Sequence, residues 1–258
     1  GLVFKKKDFT DFVRRLRDRF DDRKIRYFVV GEYGNKCEHN TTYGRDSVKD
    51  CRLCNVGRPH FHACLFNISF GDRVSLGEKN GREYFTSPIL EEVWQNGHVQ
   101  VGELNFESAS YAARYCLKKI TGVLADEHYM KVDADGVARW VQPEYISMSR
   151  GRPCGIHRSL SLDCGVCEGG IGWRWYKKYG QDIFPWDEVP VAGKGVLRKA
   201  PRYYMDLLAK HDETLVEKVK EMRQRFRREH AEEFTSQRLE SKHKIKKART
   251  ELLERTLE

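Results

Sequence analysis

The chain has no apolar run approaching the ~20 residues of a membrane-spanning helix. That excludes an α-helical span within its 258 residues, and no membrane partner is expected. It also lacks the charged, apolar and small-residue succession of a secretory signal, so a cytosolic location is the expectation. In that compartment the eight cysteines are expected as thiols or metal ligands, not as disulfides. From Tyr203 to the end there is neither glycine nor proline, and the usual helix breakers are missing. Acidic residues are in deficit: 38 Asp and Glu stand against 47 Lys and Arg, for a formal charge of +9. Such an excess favours a polyanionic partner, nucleic acid above all. The length suits one sizeable domain, or a domain with an appendage.

Phe9, Phe12, Val13, Leu16 and Phe20 recur at helical spacing, which predicts an amphipathic helix over 7–20. Ile25 to Val30 is a β-rich run, followed by Gly31-Glu32-Tyr33-Gly34. Residues 35–56 are polar and carry Cys37, His39, Cys51 and Cys54, as expected of a looped insertion. A strand is predicted from His60 to Asn67, with Pro59 suited to its first position. Ser87-Pro88 opens a short helix that Gly97 closes. A strand is expected over 98–104, and a second helix from Ser108 to Gly122. Asp135-Gly136 marks a hairpin turn, residues 144–148 read as extended, and 150–172 as a loop. An aromatic helix over 173–179, an irregular stretch over 180–204 and a nearly continuous charged helix complete the expectation.

Two positions in this layout bear on chemistry. Side chains alternate faces along a strand, so His60, His62, Cys64 and Phe66 share one side, and Phe61, Ala63 and Leu65 the other. Two imidazoles so placed can converge on one divalent metal; by itself the short pair reads first as two partly exposed strand histidines. In the helix over 108–121, Tyr111 and Tyr115 lie four apart on one face, with Lys118 three further on. Either tyrosine alone reads as a packing residue. Together, beside Arg114 and Lys119 in a basic chain, they become candidate nucleophiles. A phenol is a poor nucleophile at its ordinary pKa of ~10. A metal on the phosphate and nearby cations make it workable.

Gly31-Glu32-Tyr33-Gly34, Gly57-Arg58-Pro59-His60-Phe61-His62 and Tyr111-x-x-x-Tyr115-x-x-Lys118-Lys119 resemble, in this order, the motifs of HUH endonucleases, the rolling-circle replication initiators. The resemblance is to the initiators of small single-stranded DNA phages, Microviridae of the gokushovirus kind. It extends over about residues 9–208, through Ser87-Pro88 with Trp94, Glu107-Ser108-Ala109-Ser110-Tyr111, Ile146-Ser147-Met148-Ser149-Arg150, Gly170-Ile171-Gly172 and Pro201-Arg202-Tyr203-Tyr204. It implies an α+β fold: an antiparallel sheet with flanking helices, an RRM-like palm, with the histidine strand central. It implies that His60, His62 and Glu32 hold Mg²⁺ or Mn²⁺. Tyr111 and Tyr115 would cut single-stranded DNA at a phage replication origin through a 5′-phosphotyrosine, with Lys118 neutralising phosphate. It further implies a host helicase and polymerase as partners and the cytoplasm of a bacterial host as location. The family pattern places a Thr-rich strand before the first helix. This chain begins after that point, so a missing N-terminal strand is expected.

The cysteines depart from the family pattern. Cys154-x-x-His157 and Cys164-x-x-Cys167 have the spacing of a four-ligand structural zinc site. Cys37, Cys51 and Cys54 offer a second candidate set. Reduced thiols in variable loops are the alternative for both. Cys64 and Cys116 fall within predicted elements and are expected to be small buried residues. The organisation expected is an endonuclease domain over 1–150 with its insertion at 35–56, a Cys/His and aromatic/Pro-rich segment over 151–204, and a charged helical tail over 205–258. Two other readings stay open. One is a HUH transposase or relaxase, although relaxases usually carry a three-histidine cluster, which is absent here. The other is a non-catalytic, zinc-stabilised nucleic-acid-binding protein.

Overall fold

The computed structural model describes residues 5–34, 58–79, 81–132, 136–157 and 164–251. The expected insertion over 35–56, with Cys37, Cys51 and Cys54, lies outside them. The chain divides into two compact units, Gly1–Ile171 and Gly172–Glu258.

The first unit opens with helix α1 (Lys6–Arg19), whose Phe9, Phe12, Val13 and Leu16 form one buried stripe. Strand β1 (Arg26–Tyr33) follows, then β2 (Pro59–Phe66). A hairpin of β3 (Val74–Lys79) and β4 (Arg82–Thr86) leads into α2 (Pro88–Trp94). Ser87 caps α2 by accepting from Leu90 N, as its position before Pro88 predicts. Beyond come α3 (Phe106–Arg114), a 3₁₀ turn (Tyr115–Lys118), α4 (Leu124–Tyr129), the short pair β5 (Met130–Val132) and β6 (Ala138–Trp140), and β7 (Tyr145–Met148).

The fold is α+β, with antiparallel sheets and flanking helices. The principal sheet has the order β2-β1-β7. Among the described residues the histidine strand β2 is therefore not the centre: β1 is, pairing with β2 on one side and β7 on the other. One sheet face lies against α1 and α2. There Phe9, Phe12, Leu16, Val29, Leu90 and Val93 form the core, with Tyr27, Phe61, Leu65, Trp94 and Tyr145 packed on it. Arg15 on α1 donates to the carbonyls of Val93 (2.7 Å) and Trp94 (3.0 Å), satisfying two acceptors that the end of α2 leaves open.

The second unit contains α5 (Trp173–Ile183), the hairpin β8 (Glu188–Val191) and β9 (Val196–Lys199), then α6 (Arg202–Leu208), α7 (Glu213–Glu229) and α8 (Ser236–Glu251). Asp187, fully buried, is held by a two-pronged pair of hydrogen bonds from Arg223, both 2.7 Å.

Several boundaries differ from expectation for local reasons. Residues 98–104 form no strand; Val101 makes only an isolated bridge to Phe85. The stretch over 180–204 is not irregular, because Gly193 (φ 71°) and Gly195 (φ 60°) supply the left-handed backbone that closes the β8–β9 hairpin. The charged tail is helical but not continuous: Asp212 caps α7 at Leu215 N, and Thr235 accepts from Arg238 N in the first turn of α8.

Phe9 is 2% exposed and touches Phe12, Tyr27 and Phe61. Phe9→Ala is expected to cost about 3–5 kcal/mol of unfolding free energy, read from a denaturant titration.

Candidate metal and tyrosine site

The register of β1 against β2 sets Glu32 opposite His60 and Val30 opposite His62. Directly opposed residues share a face. Glu32, His60 and His62 thus stand on the side away from α1, while Phe61 and Leu65 enter the core. Glu32 is fully buried, and its Oε1 lies 2.9 Å from His60 Nε2 and 3.0 Å from His62 Nε2. His60 Nδ1 is 3.2 Å from the Arg58 carbonyl. A carbonyl only accepts, so Nδ1 is the donor in that contact and Nε2 is the ring atom turned to Glu32.

Ring nitrogens this close to a carboxylate oxygen share either a proton or a cation with it. The three ligand atoms lie within 4.8 Å of one another. Adjacent ligands of an octahedral ion with ~2.1 Å bonds are about 3.0 Å apart, close to the spacings found here. Two imidazoles and one carboxylate suit a hard-to-borderline divalent ion with open positions, so the residues present fit Mg²⁺ or Mn²⁺.

Helix α3 brings the tyrosines to the same face. Its N-terminus is fixed by Asn105, not by Ser108: the Asn105 side chain accepts from Ser108 N, and the Ser108 hydroxyl accepts from Asn105 N. Tyr111 and Tyr115 are buried, with their hydroxyls hydrogen-bonded to each other. The Tyr115 ring stacks on His62 at 4.1 Å and 9° between planes, and Tyr111 meets His62 edge-on at 5.7 Å. The Arg114 guanidinium stands 5.3 Å from the Tyr111 ring centre. The expected helix does not run to Gly122, because the backbone tightens to 3₁₀ from Tyr115. Lys118 is in that turn, and its side chain lies outside the described residues.

Sequence reasoning missed Tyr129 and Glu144. Tyr129 donates to Glu144 Oε2 and accepts from Ile120 N at 3.0 Å, so it anchors the chain just after the tyrosine segment. The two residues come from separate segments with no motif around either, and no sequence signal marks them. Burial, and then the bond to Glu144, push the Tyr129 phenol up to about 12, the wrong direction for a nucleophile.

The cysteines part company. Cys154, His157, Cys164 and Cys167 converge in a second group, with Cys154 held down to about 6 by its hydrogen bond from His157. Cys64 is buried and Cys116 only half-buried; burial raises both thiols.

The chain is 28% identical over 224 residues to the replication-associated protein ORF2 of Spiroplasma virus 4, covering 84% of this chain and 55% of that protein. It is 26% identical over 212 residues to the replication-associated protein VP4 of Bdellovibrio phage phiMH2K, covering 79% and 52%. A shorter match, 30% over 116 residues, reaches the replication-associated protein ORF4 of Chlamydia phage 1, with 43% of this chain and 24% of that protein. All three are replication-associated proteins. The chain spans about half the length of the first two. No protein-family profile and no solved structure matches it.

Tyr129 gives a pH signature. Its folded pKa lies above the ordinary phenol value of 10.0, so its contribution to stability is complete below that pH and is lost as pH rises toward about 12. Titrating phenolate absorbance should show a step near the upper value that Tyr129→Phe removes.

Proposed function

We propose that the chain is the nicking and joining part of a phage replication initiator, a HUH tyrosine endonuclease acting on single-stranded DNA. The observation that supports this best is the juxtaposition of Glu32, His60 and His62 with a tyrosine pair stacked directly on His62. The similarity to phage replication-associated proteins and the net charge of +9 agree with it.

In this reading Glu32, His60 and His62 hold Mg²⁺ or Mn²⁺, which when bound supplies Lewis-acid polarisation of a phosphate oxygen. The chain's own groups do the rest. One tyrosine oxygen attacks phosphorus in line. The P–O3′ bond breaks, the phenol proton is released, and the leaving 3′ oxygen takes up a proton. The products are a 5′-phosphotyrosine and a 3′-OH able to prime synthesis. The Tyr111–Tyr115 hydrogen bond lets either phenol stabilise the phenolate of the other. The second tyrosine allows another cleavage before the first ester is resolved, and the ester conserves the bond energy for rejoining without ATP. Arg114, and Lys118 by its place in the motif, neutralise phosphate. Strand β7 continues the site face with Ile146 and Met148 exposed, an apolar surface on which bases can lie. An origin on phage DNA, a host helicase and polymerase, and the bacterial cytoplasm complete the proposal.

The decisive experiment is incubation with single-stranded origin DNA and Mn²⁺, followed by a search for an adduct that survives denaturation. Tyr111→Phe with Tyr115→Phe should abolish it and leave DNA binding intact; an adduct retained by that double variant rules out the tyrosine assignment. His60→Ala or His62→Ala should reduce cleavage and raise the Mn²⁺ concentration required. Unchanged activity at low metal would remove the metal role. Binding should weaken steeply as salt rises.

A further inference from the structure

We propose that Cys154, His157, Cys164 and Cys167 form a closed, structural zinc site that fastens the loop after β7 to the start of β1. It is distinct from the Glu32–His60–His62 group in residues and in chemistry.

The donor set comes first. Three thiols and one imidazole, presented as C-x-x-H and C-x-x-C, are a soft, four-ligand set with no position left for substrate. Their ligand atoms all lie within 4.8 Å of one another. With Zn–S bonds of ~2.3 Å, two thiolates at tetrahedral angles stand about 3.8 Å apart; Cys154 Sγ and Cys164 Sγ are 3.7 Å apart. An imidazole nitrogen and a thiolate on the same ion stand about 3.6 Å apart. His157 Nδ1 is 3.7 Å from Cys167 Sγ and 3.0 Å from Cys154 Sγ. The Cys167 amide donates to Cys164 Sγ at 3.3 Å, a contact that takes up charge on a bound thiolate. A disulfide would need sulfurs ~2.05 Å apart, and it would leave His157 and the third cysteine without a role.

The surroundings say what such an ion would hold. Arg152 and Glu168, just outside the ligands, form an antiparallel bridge. Glu168 is paired with Lys24 and Arg26 at the beginning of β1. Gly170 lies so close to Ser149 that a Cβ would stand 2.8 Å from its carbonyl oxygen. Ser149 in turn is bonded to Tyr27 through both its hydroxyl and its amide. The four ligands therefore sit inside a loop whose two arms are already tied to each other and to β1, at the opposite end of that strand from Glu32. Metal binding here would close the loop and add its free energy to that of folding.

The test uses the full chain purified without chelator. Elemental analysis should find zinc that survives purification, and differential alkylation with peptide mapping should show Cys154, Cys164 and Cys167 protected until a chelator is added. Chelation should also lower the unfolding temperature. Cys154→Ser and Cys167→Ser should lose one equivalent of zinc per chain, while Cys51→Ser with Cys54→Ser keeps it. Should the serine variants fail to fold, the alkylation map on the unaltered chain decides. Absence of zinc, free labelling of these three thiols in zinc-loaded protein, or protection confined to Cys37, Cys51 and Cys54 would overturn the proposal. None of these readouts depends on DNA cleavage, so the site stands or falls apart from the proposed activity.

Discussion

The antiparallel register of β1 and β2 is the constraint on which both faces of the first unit depend. Opposing Glu32 to His60 also opposes Tyr27 to Leu65 and Val29 to Ala63. One alignment therefore sends the apolar set toward α1 and α2 and Glu32, His60 and His62 the other way. Because the side-chain period is two, a slip of one residue would bury the imidazoles among Phe9, Phe12 and Trp94 and turn Phe61 outward. Core packing penalises that slip heavily, so the hydrophobic side of the sheet holds the geometry of the polar side.

The same pairing explains how a fully buried carboxylate is tolerated. Glu32 sits between two imidazole nitrogens on the adjacent strand, one of them oriented by a backbone carbonyl. Removing one partner from a buried charged group costs on the order of 3–5 kcal/mol, far more than the intact pair contributes. The site is thus part of the fold's energetics as well as a candidate for chemistry, and its three side chains are held on paired strands instead of a loop.

Much of this was legible in the chain because it is periodic. The stripe of Phe9, Phe12, Val13 and Leu16, the alternation through His60 to Leu65, and Ser87 before Pro88 each carry their own local signal. The partner of His60 and His62 was legible only by resemblance, since nothing local in Gly31-Glu32-Tyr33-Gly34 announces a ligand. What failed was long-range or depended on a cap. Asn105 displaced Ser108 as the start of α3 because a capping box satisfies two backbone donors at once. In the β8–β9 hairpin the prolines read as irregularity, while Gly193 and Gly195 supply the turn. Tyr129 and Glu144 meet across β5 and β6, so no local pattern could join them. That β1 lies between β2 and β7 among the described residues follows from a pairing to β7 more than a hundred residues away.

The burial of the tyrosine pair has a consequence for reactivity outside the intended substrate. Tyr111 is 6% exposed and Tyr115 3%, each hydroxyl turned toward the other and one ring lying flat on His62. A buried oxygen cannot meet a phosphorus in line until the groups over it move aside. In the proposed chemistry, such a pair is a latent nucleophile: quiet toward the phosphodiesters that the protein meets by chance, and awakened only by a strand that threads deeply enough to part the two rings.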